Sequence, residues 1–145
     1  MAEILSRRTG LRVAQVQGGE RIVAGMVFLA PPDRHLLVGT DGVLSLTDTV
    51  RVQYSRPSAD VLFISLAESW GVGAIAVVLT GTGHDGARGV SAVSAHGGMV
   101  IAQNEDSAEF FGMPGAAIET GAVDLVLPLL SIAPALRRLI SGGAN

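Results

Sequence analysis

The chain is 145 residues long, 48% hydrophobic and only 16% charged, with a formal net charge of −3 and no cysteine. That length is one domain or part of one, and the charge balance leaves no electrostatic footprint for nucleic acid. No apolar run approaches the ~20 residues of a membrane span, and residues 1–8 lack a signal-peptide core.

The lack of cysteine excludes disulfide and thiolate chemistry and fits a cytoplasmic setting. A soluble domain is usually about a quarter charged. The lower value here points to a sheet buried on both faces, or to a surface that other protein covers.

Met1 to Arg8 has a helical pattern that Gly10 can close. Leu11 to Val16 alternates as a short strand, and Gly18-Gly19 is a turn. Met26 to Ala30 is a strand stopped by Pro31-Pro32. Leu36-Leu37-Val38 and Val43 to Leu46 flank Gly39-Thr40-Asp41-Gly42, a hairpin pattern. Ser58 is placed as a helix N-cap, with Asp60 in the first turn where its charge suits the macrodipole. Leu62, Phe63, Leu66, Ala67 and Trp70 form that helix's apolar face.

Ala74 to Leu79 is an unbroken apolar run and predicts a strand buried on both faces. A helix through Val90 and Val93 closes at Gly97-Gly98, and Met99 to Ala102 is the next buried strand. Ser107 to Phe111 suggests a short helical turn. Pro114 and Gly121 bracket a further helix as its first residue and its C′ residue. Val123 to Leu127 predicts a third buried strand. Ser131 would cap a last helix with Leu136, Leu139 and Ile140 inward, and Ser141 to Asn145 is left as a flexible tail. Strand and helix alternate from residue 58 onward, which predicts a parallel sheet with right-handed crossovers.

The segment from Thr80 to Gly89, TGTGHDGARG, carries the most chemistry. It sits at the carboxyl end of a strand, where open α/β sheets do their work. Its glycines offer free backbone N–H groups, able to serve as an oxyanion hole. Gly81-Thr82-Gly83-His84-Asp85-Gly86 also satisfies G-x-G-x-x-G, and Asp106 follows at about the interval (~20 residues) of a ribose-binding acid. That fingerprint should open the first βαβ unit, whereas here it begins only at Gly81, so dinucleotide binding ranks low. The competing reading makes Asp85 the acid of a catalytic triad. Its plain structural role would be to cap the following helix, and the two roles are compatible.

His84 is a lone loop histidine, more often solvated than catalytic. His35 is either structural or on the rim of a site, and His96 suits a helix C-terminus. These histidines lack metal-ligand spacing, so neither metal nor cofactor is expected. Glu105, Asp106 and Glu109 are read as solvent-facing charge, and Phe110, Phe111 and Met113 as packing.

Several segments together resemble one family. They are Ile22 to His35 (IVAGMVFLAPPDRH), Arg56 to Phe63 (RPSADVLF), Val78 to Gly86 (VLTGTGHDG), Ala102 to Ser107 (AQNEDS), Phe111 to Pro114 (FGMP), Ala117 and Gly121 to Val123. Their order and spacing are similar to the C-terminal catalytic domain of the chemotaxis protein-glutamate methylesterases (CheB type), from near residue 3 to about residue 140. The resemblance implies a doubly wound, mostly parallel α/β sheet with an added antiparallel hairpin. It also implies hydrolysis of glutamate γ-methyl esters on the cytoplasmic helices of methylated chemoreceptors, often with glutamine deamidation. Asp85 matches the family's triad aspartate. Gly81, Thr82 and Gly83 match its oxyanion loop, with Thr82 where a methionine is common.

The family's nucleophile lies in a Ser-Thr-Gly-Gly turn and its base in a Gln-His pair, and neither motif occurs in this sequence. The expectation is a methylesterase-like domain over residues 1–140, incomplete on its N-terminal side, with residues 141–145 as tail. One triad member of three predicts no activity for this polypeptide alone. It predicts dependence on an N-terminal segment or second chain, or self-association through an uncovered sheet edge. A catalytically dead receptor-binding module is the alternative.

Overall fold

The computed structural model describes residues 2–142. A short helix α1 (Ala2–Arg8) precedes the strands β1 (Arg12–Gln15), β2 (Met26–Leu29), β3 (His35–Val38) and β4 (Leu44–Thr47). Then come helix α2 (Ala59–Trp70), a 3-10 turn at Gly71–Gly73, strand β5 (Ile75–Val78), helix α3 (Ala87–Ala95) and strand β6 (Met99–Gln103). Helix α4 (Gly112–Glu119), strand β7 (Leu125–Leu127) and helix α5 (Leu129–Gly142) complete the order.

The architecture is the expected one: α/β with a parallel sheet and an antiparallel hairpin. β5, β6 and β7 form the parallel sheet in that spatial order, joined by two crossovers that carry α3 and α4. β3 and β4 form the hairpin, closed by Gly39–Gly42 with Gly42 at φ 80°. β1 and β2 pair in parallel, although the Gly18-Gly19 turn lies between them. The connecting loop swings out instead and bonds to the hairpin, with Leu44 N donating to Glu20 O at 2.7 Å.

Two apolar clusters hold these parts together. One is built from small residues, Ala67, Ala76, Val78, Val90, Val93, Val100 and Ala117, between β5, β6 and the helices. Small side chains let α2 and α3 approach closely. A Cβ on Gly89 would stand 2.6 Å from Phe63 Cβ. The other cluster gathers Val16, Leu36, Val38 and Leu44 under the hairpin. Leu66 of α2 packs against both, so α2 joins the hairpin to the parallel sheet.

Several local expectations are corrected. β5 alternates half-buried with buried residues, and Leu79 just beyond it is 46% exposed, so the strand is not covered on both faces. β5 also pairs on one edge only among the described residues. β7 is an exposed edge strand, not a buried one. Its apolar letters (Leu125, Val126, Leu127) are those of a core strand, and only its place at the sheet margin leaves it open. Residues 107–111 contain no helix; a turn at 105–107 leads into irregular chain. α4 begins at Gly112, which puts Pro114 third rather than first, still in the turn where N–H groups go unused.

Ser131 lies inside α5, and Ile140 is exposed while Ile132 and Ala135 are buried. Trp70 is 45% exposed at the end of α2. α5 includes Ser141 and Gly142, which the sequence assigns to the tail. The rest of that tail lies outside the described residues.

Candidate functional site

β5 delivers the glycine loop to the carboxyl edge of the sheet, and a neighbouring segment holds it there. Gln103, fully buried at the end of β6, accepts from Thr80 N at 2.9 Å. Its amide nitrogen donates to Ser107 O at 2.9 Å and Ser107 Oγ at 3.1 Å. Thr80 Oγ1 accepts from Phe110 N at 2.8 Å. Gly81 N donates to Phe110 O and Met113 N donates to Gly81 O, both at 2.9 Å. Gly112 lets the two backbones meet, since a Cβ there would be 2.8 Å from Gly83 O and 3.2 Å from Gly81 O.

Thr82 and Gly83 are exposed, and their N–H groups donate to no protein acceptor among the described residues. Two unused N–H groups on a rigidly braced loop can bind an oxyanion.

Asp85 follows that loop and is 8% exposed. It does not cap its own helix. Gly86, at φ 103°, occupies the N-cap of α3 and has no side chain to give. Asp85 instead reaches across to α2. Its Oδ1 accepts from Ser58 Oγ at 2.8 Å and Asp60 N at 3.0 Å, and its Oδ2 accepts from Ala59 N at 2.7 Å. A carboxylate oxygen can accept two bonds, so Oδ2 keeps one open. The α2 terminus suits an anion because its N–H groups and the positive end of its dipole converge there.

Asp60 returns the favour. Its Oδ1 accepts from Gly86 N at 3.0 Å and Gly89 N at 2.7 Å, capping α3. The sequence reading gave Asp60 only a macrodipole role and missed this one. Its sole signal is the lack of a capping side chain at Gly86, which obliges α3 to find a cap elsewhere.

A cavity of about 400 Å³ lies beside this pair, lined by Ala30, Leu36, Pro57, Ser58, Asp85 and Met113 among others. Asp85 and Met113 therefore share one pocket. Gly81, Thr82 and Gly83 lie on the loop that Met113 N helps to hold.

The other candidates fall away from it. His84 is exposed. His35 is fully buried, with Nδ1 accepting from Ser58 N at 3.2 Å and Nε2 donating to Val50 O at 3.0 Å. That pair of bonds makes it a structural residue that supports the start of α2. His96 is exposed at the C-cap of α3, with Nδ1 bonding to Ala92 O. Glu105, Asp106 and Glu109 are exposed, and no group of acidic and histidine side chains suited to a metal occurs among the described residues. No helix there is long and apolar enough to cross a membrane.

Comparison with known proteins gives the family and the fold. The model of the CheB methylesterase family matches residues 1–136. A protein-glutamate methylesterase/protein-glutamine glutaminase of Anaeromyxobacter dehalogenans is 45% identical over 141 residues, covering 95% of this chain and 40% of the relative. The corresponding protein of Nitrobacter winogradskyi is 43% identical over 98% of this chain and 34% of its own length. The chain thus spans about two fifths or less of these two curated relatives. The crystal structure of the Thermotoga maritima CheB methylesterase catalytic domain superposes with a TM-score of 0.91 at 35% identity, covering 95% of this chain and 75% of that one. The chain belongs to the CheB methylesterase family.

Proposed function

We propose that this chain supplies the acidic residue and the oxyanion loop of a serine esterase site that acts on glutamate γ-methyl esters of chemoreceptors. Asp85 is the acid. The N–H groups of Thr82 and Gly83, set by Gly81, would receive the oxyanion. The observation that carries this is the state of the Asp85 carboxylate: buried, held by three donors, and open at one site on Oδ2 beside a cavity. That site suits an imidazole N–H, which an aspartate orients and whose cation it stabilises.

The Ser-Thr-Gly-Gly and Gln-His motifs that the resemblance assigns to nucleophile and base do not occur in the 145 residues. With both supplied, a serine oxygen attacks the ester carbonyl carbon, its proton passes to the imidazole and on to the departing methoxide, and methanol leaves a glutamyl ester on the serine. Water then releases the glutamate carboxylate. Aspartate alone cannot open this path. The polypeptide by itself is therefore expected to be inactive, and the edge of β5 that is unpaired among the described residues, together with the cavity, is where a segment supplying nucleophile and base would dock. The names of the two curated relatives extend the reading to glutamine deamidation.

A dinucleotide site is disfavoured by the same geometry. The Gly86 and Gly89 N–H groups that a pyrophosphate would need are already bound to Asp60. NAD is expected not to raise the melting temperature.

The test adds, in trans, a segment from a relative that carries Ser-Thr-Gly-Gly and Gln-His, and measures methanol release from a methyl-esterified receptor peptide. Release only with the segment present, and lost in Asp85→Ala, supports the proposal. Release by the chain alone, or peptide binding without turnover in the complex, overturns it. The second result would leave a receptor-binding module.

A further inference from the structure

We infer that Asp60 is the positioning residue for Asp85, an inference that takes its functional consequence, though not its structural content, from the esterase reading above. The contacts form a closed ring. The Asp60 main-chain N–H donates to Asp85 Oδ1 at 3.0 Å. The Asp60 side chain accepts, 3.0 Å away, from the N–H of Gly86, the next residue after Asp85. One residue of α2 therefore grips Asp85 from both ends, by its carboxylate and by its following peptide. Neither helix can shift along the other without breaking bonds at both termini.

Three further features belong to this arrangement. Gly86 leaves α3 without a cap of its own, so Asp60 has no local competitor. Gly89 admits the close approach, since a Cβ there would stand 3.2 Å from Asp60 Cα. Asp60 is 2% exposed, yet its Oδ2 has no hydrogen-bond partner among the described residues. Both bonds that this buried carboxylate makes fall on its Oδ1, to the N–H groups of Gly86 and Gly89. An asparagine carbonyl can accept those same two bonds, whereas alanine cannot.

The experiment measures amide hydrogen exchange by NMR on the 145-residue chain. The informative amide is Ala59, which donates to Asp85 and, among the described residues, makes no hydrogen bond to the Asp60 carboxylate. Asp60→Ala is expected to speed exchange about tenfold or more at Gly86, Gly89 and Ala59 alike, while Asp60→Asn leaves Ala59 near its original rate. Faster exchange at the two glycines with Ala59 unchanged reduces Asp60 to a local cap and overturns the inference. Should Asp60→Ala fail to fold, Asp85→Asn serves in its place. It must loosen Gly89, whose N–H bonds to Asp60 and not to Asp85, and an unchanged Gly89 sinks the idea equally.

In the reconstituted esterase, Asp60→Ala should lower kcat about tenfold with KM unchanged, and Asp60→Asn should restore it. A change in KM alone overturns positioning. If hydrolysis proves independent of Asp85, the esterase reading falls, and the exchange data still decide the role of Asp60.

Discussion

The region before residue 58 and the parallel unit after it use polar side chains in opposite ways. In the parallel unit, Asp85, Asp60 and Gln103 are buried at strand and helix ends, and they bind backbone groups of elements far away in sequence. In the earlier region the charged contacts stay at the surface. Asp33, 61% exposed, pairs with Arg56 at 2.8 Å and Arg51 at 3.4 Å, and Glu20 caps the N–H groups of Gln17 and Gly18 within its own loop. His35 is the exception, buried at the start of hairpin strand β3 and bonded to the start of α2.

The difference teaches where precision resides. A buried carboxylate or amide leaves costly orphans when removed, so it fixes geometry. An exposed ion pair is screened and replaceable by water, so it restrains a loop weakly.

The largest effect should come from breaking a buried contact. Gln103→Leu strips partners from Thr80 N and Ser107 O and is expected to cost about 3 kcal/mol in urea unfolding. Methanol release in the reconstituted complex should fall with it, because the loop proposed to receive the oxyanion loses its brace. Wild-type stability in this variant would erase the contrast between the two regions.

Gly112→Ala comes next, at about 2 kcal/mol, because the new Cβ meets backbone atoms of Gly81 and Gly83 that cannot swing aside. Its amide shifts should concentrate in residues 81–83. Changes confined to α4 would show that the loop does not lean on it.

The smallest effect belongs to the surface pair. Hydrogen bonding from Arg56, more than charge, holds the Asp33 carboxyl below its usual range. A lowered folded-state value means stability that is present above the unfolded value of about 3.9 and lost as pH falls through the folded one. Asp33→Asn should therefore lower the urea midpoint slightly at neutral pH, less so in high salt, and not at all in strong acid. A deficit that persists in acid would assign the effect to something other than the ion pair.

The candidate site was legible in part. Asp85 and the glycines were found because a glycine-rich turn after an apolar run is a local pattern. The partner of Asp85 was not legible, because Ser58, Ala59 and Asp60 lie 25 to 27 residues away and meet it only when α2 packs on α3. Burial misled for the same reason at β7 and Ile140. An apolar letter records what a residue would prefer, and whether a neighbour arrives to cover it depends on the sheet order.

The sequence by itself determined the alternation of strand and helix, the hairpin turn at Gly39–Gly42, the Ser58 cap and the loop that holds Asp85. Periodicity, turn chemistry and capping act over a few residues and are written in adjacent letters. Only the tertiary structure decided that β1 and β2 run parallel, that α3 borrows its cap from Asp60, and that Asp85 faces α2 rather than its own helix. Each of these joins groups brought together by packing, where the need to satisfy buried donors and acceptors selects partners regardless of their distance along the chain.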